Sequence, residues 1–160
     1  VAVSRGEILV FCHADSRLPA GWRKAVVKAL SRPGVSGGTF QTRILPEDTW
    51  ILRLRNRMPQ RATWCEMHGD QAHFMARATF EQVGGFPELV LMEDVEMSRA
   101  RQGELVRIPP HVMPTSRRYL ERGPLRQALR NRWNLFRYLY LGTTAEEIAR
   151  TYRSEREETP

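Results

Sequence analysis

The feature that most constrains this chain is the run Glu7-Ile-Leu-Val-Phe-Cys12, which gives way at once to the polar cluster His13-Ala-Asp-Ser-Arg17. The apolar stretch is too short for a helix and does not alternate with polar residues, so it reads as a strand covered on both faces. Strands alternating with helices along the rest of the chain argue for an α/β layer structure. In such sheets ligands gather at the carboxyl ends of strands. His13 to Asp15 therefore stand where chemistry is expected.

The rest of the chain supplies the layers. Residues 1–5 read as a helix tail stopped by Gly6, and Pro19 and Gly21 mark a turn before a helix over 22–30. Within 35–44, Phe40, Thr42 and Ile44 alternate with polar residues, giving a strand-like end. A helix over 48–58 takes Asp48 as its cap, and a strand is expected over 68–75. A short helix over 76–83 ends at Gly84-Gly85, and another spans 93–101. Residues 105–108 form a strand stopped by Pro109-Pro110. A long helix over 124–141 has Pro124 in its first turn, and Thr144-Ala-Glu-Glu147 is a capping box for the last helix. Residues 154–160 are expected to fray. At 160 residues the chain supports one core, divided here into 1–123 and a helical extension, 124–160.

Composition narrows the class. Two distant cysteines, Cys12 and Cys65, make no disulfide framework and fit a reducing, cytoplasmic setting. Neither Cys12-His13 nor Cys65-Glu-Met-His68 with His73 has zinc spacing, so both cysteines are read as buried packing residues. The net charge of +7 points to an anionic partner, whether nucleotide, nucleic acid or lipid headgroup.

Four motifs carry chemistry. Asp15, at the end of the first strand, is the carboxylate a hard divalent cation would take, although taken alone it reads first as a turn or cap residue. In Gly84-Gly-Phe-Pro-Glu-Leu-Val-Leu-Met-Glu-Asp94-Val-Glu96 the carboxylates crowd a helix start. Asp94 can take a proton from an attacking hydroxyl with Glu93 beside it, while acids in a first turn also suit the helix dipole alone. Gly69, Asp70 and Gln71 allow close backbone approach and offer hydrogen bonds to a substrate, or make a surface turn. Arg117 and Arg118 beside Tyr119 suit phosphate oxygens and a stacked ring, or form a solvated basic turn.

Taken in order, Ile8-Leu-Val-Phe-Cys-His-Ala-Asp15, Gly69-Asp-Gln71, Gly84-Gly-Phe-Pro-Glu88 and Glu93-Asp-Val-Glu96 resemble family-2 glycosyltransferases, in particular a bacterial subgroup with a His-Ala-Asp motif. The resemblance runs over 7–123 and is strongest over 84–96. It implies a partial GT-A fold, with a mixed, mostly parallel sheet flanked by helices. It also implies a nucleotide-sugar donor, a hydroxyl acceptor, Mg²⁺ or Mn²⁺, and inversion at the anomeric carbon. Carried over, Asp15 and His13 match the metal motif, Asp94 the catalytic base, and Gly69, Asp70, Gln71, Glu93 and Arg118 the substrate contacts. His13 stands where many relatives have an acid, and Tyr119 stands in place of the tryptophan of processive members. The sequence begins after the segment that holds the nucleobase in relatives, so this polypeptide alone is expected to bind nucleotide weakly and to turn over little.

Leu125, Leu129, Trp133, Phe136 and Tyr140 recur at helical spacing, a stripe expected to pack on the sheet. Arg118, Arg122, Arg126 and Arg130 form a basic ridge. An apolar face flanked by arginine also suits a peripheral enzyme at the inner membrane surface, with a lipid-linked acceptor. Two other readings compete. A nucleic-acid module would use the ridge but leaves Glu93-Asp94 without a role, and no nucleic-acid motif is present. An inactive transferase-like interaction domain is the third.

Overall fold

The computed structural model describes residues 3–43, 49–58, 68–100, 103–113 and 123–157. In chain order the elements are β1 (Ile8–Phe11), α1 (Trp22–Leu30), β2 (Val35–Thr42), α2 (Trp50–Arg57), β3 (His73–Ala76), α3 (Arg77–Gln82), α4 (Glu93–Ala100), β4 (Glu104–Val112), α5 (Pro124–Tyr140) and α6 (Ala145–Glu157). The four strands form one open sheet in the order β1-β3-β2-β4. β3 runs antiparallel to both of its neighbours, while β2 and β4 pair in parallel. Three strands thus share a direction, as the α/β reading expects. Inserting β3 the other way nevertheless makes two of the three ladders antiparallel.

Each face of the sheet has its own core. Alternation along β1 sends Ile8 and Val10 to one side, where Phe40, Phe74, Val106 and Ile108 pack with Val26 and Ala29 of α1. It sends Leu9 and Phe11 to the other, where Met75 meets Phe80 of α3 and Met97 of α4. The run at residues 8–11 is apolar throughout because both of its faces are covered. Gly38 on β2 shows how closely the layers pack. A Cβ there would strike the Val106 carbonyl and lie 2.7 Å from the Phe74 ring.

Several local expectations change. Residues 4–6 are not helical, and the Ser4 and Gly6 carbonyls instead accept hydrogen bonds from Arg77, each at 2.9 Å. Thr49 caps α2, its hydroxyl accepting the Leu52 N–H at 3.3 Å, and Asp48, the expected cap, lies outside the described residues. β4 continues through Pro109 and Pro110 because it is an edge strand that need not donate on its outer side. The register also slips there, from Phe40↔Ile108 to Thr42↔Val112, absorbing the extra residues. α6 extends through residue 157, so the first part of the tail expected to fray is assigned to a helix, while residues 158–160 lie outside the described residues.

The largest change concerns α5. Its apolar stripe does not pack on the sheet: Trp133 is 56% exposed and Tyr140 is 72% exposed, while Gln127 and Asn134 on the other side are buried. α5 contacts α2 and α6. It is also tied to α4 by Tyr138, whose hydroxyl donates to Glu96 Oε1 at 3.1 Å. At α6 the capping box forms as expected. The Thr144 N–H donates to Glu147 Oε2 at 2.9 Å, and the Glu147 N–H donates to Thr144 Oγ1 at 3.2 Å.

Candidate functional site

Three distant segments converge at the carboxyl end of β1. The antiparallel register pairs Phe11, the last residue of β1, with His73, the first of β3. Directly opposed residues share a face, so His73 stands beside Phe11 rather than at the far edge. Over them folds the turn after α3. The Gly84 N–H donates to the Glu81 carbonyl (3.1 Å) and the Gly85 N–H to that of Phe80 (2.9 Å), with both glycines left-handed at φ 83° and 79°. This glycine-dependent helix ending returns Phe86 onto the sheet. There its ring meets Phe11 edge-on at 4.8 Å and lies 6.5 Å from His73. α4 then begins, delivering Glu93 and Asp94. The result is a cavity of about 240 Å³ bounded by Phe11, Cys12, His13, His73, Phe86 and the Glu93-Asp94 pair.

Its electrostatics centre on His73. The imidazole is 2% exposed, and its Nε2 has no hydrogen-bond partner among the described residues. Burial pushes its pKa below the ordinary histidine value. The negative charge of Asp94 opposes that shift; the charge of His68 adds to it, and a hydrogen bond to the His68 backbone opposes it. His73 is accordingly neutral near pH 7. One oxygen of Asp94 accepts the Val95 N–H at 2.8 Å, which fixes the carboxylate against the first turn of α4. Among the described residues, the non-glycine positions with positive φ are Ala72 at 53° and Met92 at 67°. Each immediately precedes a wall of the cavity. Strain of this kind persists only where the surroundings enforce it, and it concentrates at functional sites.

Of the expected site residues, His13, Glu93 and Asp94 are brought together. Asp15 lies on the exposed turn just beyond His13, outside the cavity wall, where the Ser16 N–H donates to the His13 carbonyl at 3.0 Å. Among the described residues, no three His, Cys, Asp or Glu side chains cluster as a metal site. Gly69, Asp70 and Gln71 form one 3₁₀ turn leading into β3. Gln71 is buried, and its Oε1 accepts from Arg107 Nη2 at 2.9 Å and from Thr39 Oγ1 at 3.2 Å. Thr39 pairs with both His73 and Arg107 across the sheet, so this network continues the same row. Asp70 Oδ1 is buried without a hydrogen-bond partner among the described residues, and its charge reaches His73. Arg117, Arg118 and Tyr119 lie outside the described residues.

Sequence reasoning missed His73, Phe11 and Phe86 as site residues. Only the strand register and the glycine turn bring them together. Cys12 was misread as buried packing: it is exposed at the cavity mouth, and partial burial followed by Asp15 pushes its thiol pKa up. A thiol so placed is a weak nucleophile at neutral pH. A second cavity, about 360 Å³, lies between α4, α5 and the start of α6, bounded by Glu96, Arg99, Tyr138 and Glu146. Burial and Glu96 push the Tyr138 phenol up to about 12. No helix among the described residues is long and apolar enough to cross a membrane. Comparison with protein-family models, curated proteins and solved structures finds no match to this chain.

Proposed function

We propose that this chain belongs to an inverting glycosyltransferase of GT-A type, and that its cavity receives the acceptor hydroxyl. The observation that carries the reading is the convergence of Glu93-Asp94, His13 and His73 on one cavity at the carboxyl end of β1, with backbone strain beside two of its walls. A volume of about 240 Å³ suits a group the size of one ring, an acceptor's reacting end rather than a whole nucleotide sugar.

In this reaction the acceptor oxygen bonds to the anomeric carbon as the bond to the donor phosphate breaks. The electron pair departs with the nucleoside diphosphate, and the hydroxyl proton passes to Asp94. The Val95 N–H orients that carboxylate, and orientation is a large part of a general base's effect. Neutral His73 offers a nitrogen for a substrate hydroxyl without adding a positive charge beside the base. Phe11 and Phe86 provide an apolar wall against which a sugar ring can lie. His13 and Asp15 share one turn, and their imidazole and carboxylate are donors that Mn²⁺ would accept, so they are the residues that would hold such a cation. A cation held there would supply countercharge for the departing diphosphate.

The test is calorimetric titration with a panel of nucleoside diphosphates and Mn²⁺, using the wild type beside Asp15→Asn and Asp94→Asn. Binding that requires Mn²⁺, disappears in Asp15→Asn and persists in Asp94→Asn is expected. Any sugar transfer detected should fall about 10²–10⁴-fold in Asp94→Asn. Absence of nucleotide binding, or an Asp94→Asn protein as active as the wild type, overturns the reading.

A further inference from the structure

We infer that the outward face of α5 is a docking surface for an anionic lipid bilayer, a reading that goes beyond the transferase proposal and does not rest on it. Leu125, Leu129, Trp133, Phe136 and Tyr140 are all exposed. At about 100° per residue they occupy one side of the helix, roughly opposite buried Gln127 and Asn134. Trp133 stacks on Phe136 with ring centres 5.7 Å apart, and Phe136 lies 5.3 Å from Tyr140, so the aromatic surface is continuous. An amphipathic helix ordinarily turns such a stripe inward. Here the polar side faces the fold and the aromatic side faces out.

Charge decides among occupants. α5 contains four arginines and no acidic residue. By the same helical geometry Arg126 and Arg137 flank one edge of the stripe and Arg132 the other. The neighbouring acids Glu96 and Glu146 gather at Tyr138, on the opposite side of the helix. α2, which touches α5, also exposes Trp50 and Leu54, with Met58 at its C-cap, and has no acid; of its three arginines Arg53 and Arg57 are exposed, while Arg55 turns in to Thr42. Leucine and aromatic side chains bordered by arginine, on helices too polar to insert, match the chemistry of the headgroup boundary of an anionic leaflet. A second copy of the same face would oppose arginine to arginine.

The experiment is co-sedimentation of the whole chain with phosphatidylcholine vesicles, with and without phosphatidylglycerol, at low and high salt. Binding to the anionic vesicles alone is expected, with release as screening shortens from about 10 Å at 0.1 M to about 3 Å at 1 M salt. Trp133→Ser/Phe136→Ser should lower partitioning about tenfold or more, and Arg126→Gln/Arg132→Gln should weaken it by a similar factor. All four side chains lie on the helix exterior, so circular dichroism and melting should match the wild type. If the aromatic pair does unfold the chain, Leu125→Ser/Leu129→Ser replaces it. Failure to bind anionic vesicles at low salt overturns the inference, as does equal binding to neutral vesicles or binding indifferent to these substitutions. A dimer in sedimentation velocity that is lost in the aromatic variant would assign the face to a second copy instead.

Discussion

Acid should destabilise this protein through His73, and a single substitution should remove the effect. The side chain is 2% exposed and its Nε2 has no hydrogen-bond partner among the described residues, so protonating it would bury a charge on a donor without an acceptor. Its folded-state pKa therefore lies below its unfolded value of about 6.5. The unfolded chain takes up a proton at a pH where the folded chain does not. Stability is complete above about pH 6.5 and is lost as pH falls from there toward the folded pKa. The slope approaches about 1.4 kcal/mol per pH unit, the value for one proton. Urea unfolding of the wild type and His73→Gln from about pH 7.5 down to about pH 4.5 measures it. The two stabilities should keep a constant difference above about pH 6.5 and converge or cross below it, as only the wild type pays the protonation cost. Asp94 raises the His73 pKa, so Asp94→Asn should extend the sensitive window to lower pH. Parallel curves for wild type and His73→Gln throughout the range would refute the reasoning.

Two further outcomes test the fold. Gly38→Ala should cost about 3 kcal/mol or more in urea unfolding, because the new methyl meets a backbone carbonyl of the paired strand, whereas Gly6→Ala, whose Cβ would meet only the Ile8 carbonyl at 3.4 Å, should stay within about 0.5 kcal/mol. Thr144→Ala removes one half of a reciprocal cap and should cost about 1 kcal/mol by thermal melting, while Thr144→Ser should recover most of it.

The layer structure was legible because it rests on local patterns. Four apolar residues in succession, at 8–11, signal a strand with two covered faces, and both cores are present. The Thr144 box and the Gly84-Gly85 stop depend on residues within one turn of each other, and both form as read. What failed was non-local. The run through Pro109-Pro110 depends on β4 being an edge, which no window of its own sequence reveals. The stripe on α5 has helical spacing whichever way the helix turns, and spacing alone cannot say that Gln127 and Asn134 face inward. Of the site, Asp94, Glu93 and His13 were legible because each stands in a motif. His73 was not, because its importance comes from pairing with Phe11 across more than sixty residues of chain.

That pairing also explains why strain sits where it does. Among the described residues the chain meets the left-handed region with glycine at 21, 34, 84, 85, 103, 123 and 142, where no side chain is needed. At 72 it uses alanine instead, and the methyl is fully buried in the core that faces α1. Packing of that methyl offsets part of a strain of about 1–3 kcal/mol. The next residue enters β3 with its side chain on the opposite face, beside Phe11 and within reach of the Asp94 charge. Ala72 thus anchors one face while His73 serves the other. Met92 makes the corresponding bend before Glu93 and Asp94, where its carbonyl accepts the Glu96 N–H at 3.1 Å and starts α4. Two of the cavity's walls are therefore set by a bend that unstrained backbone would not hold. The residues they position are a neutral imidazole and two acidic side chains, groups of the kind that can accept a proton from a hydroxyl.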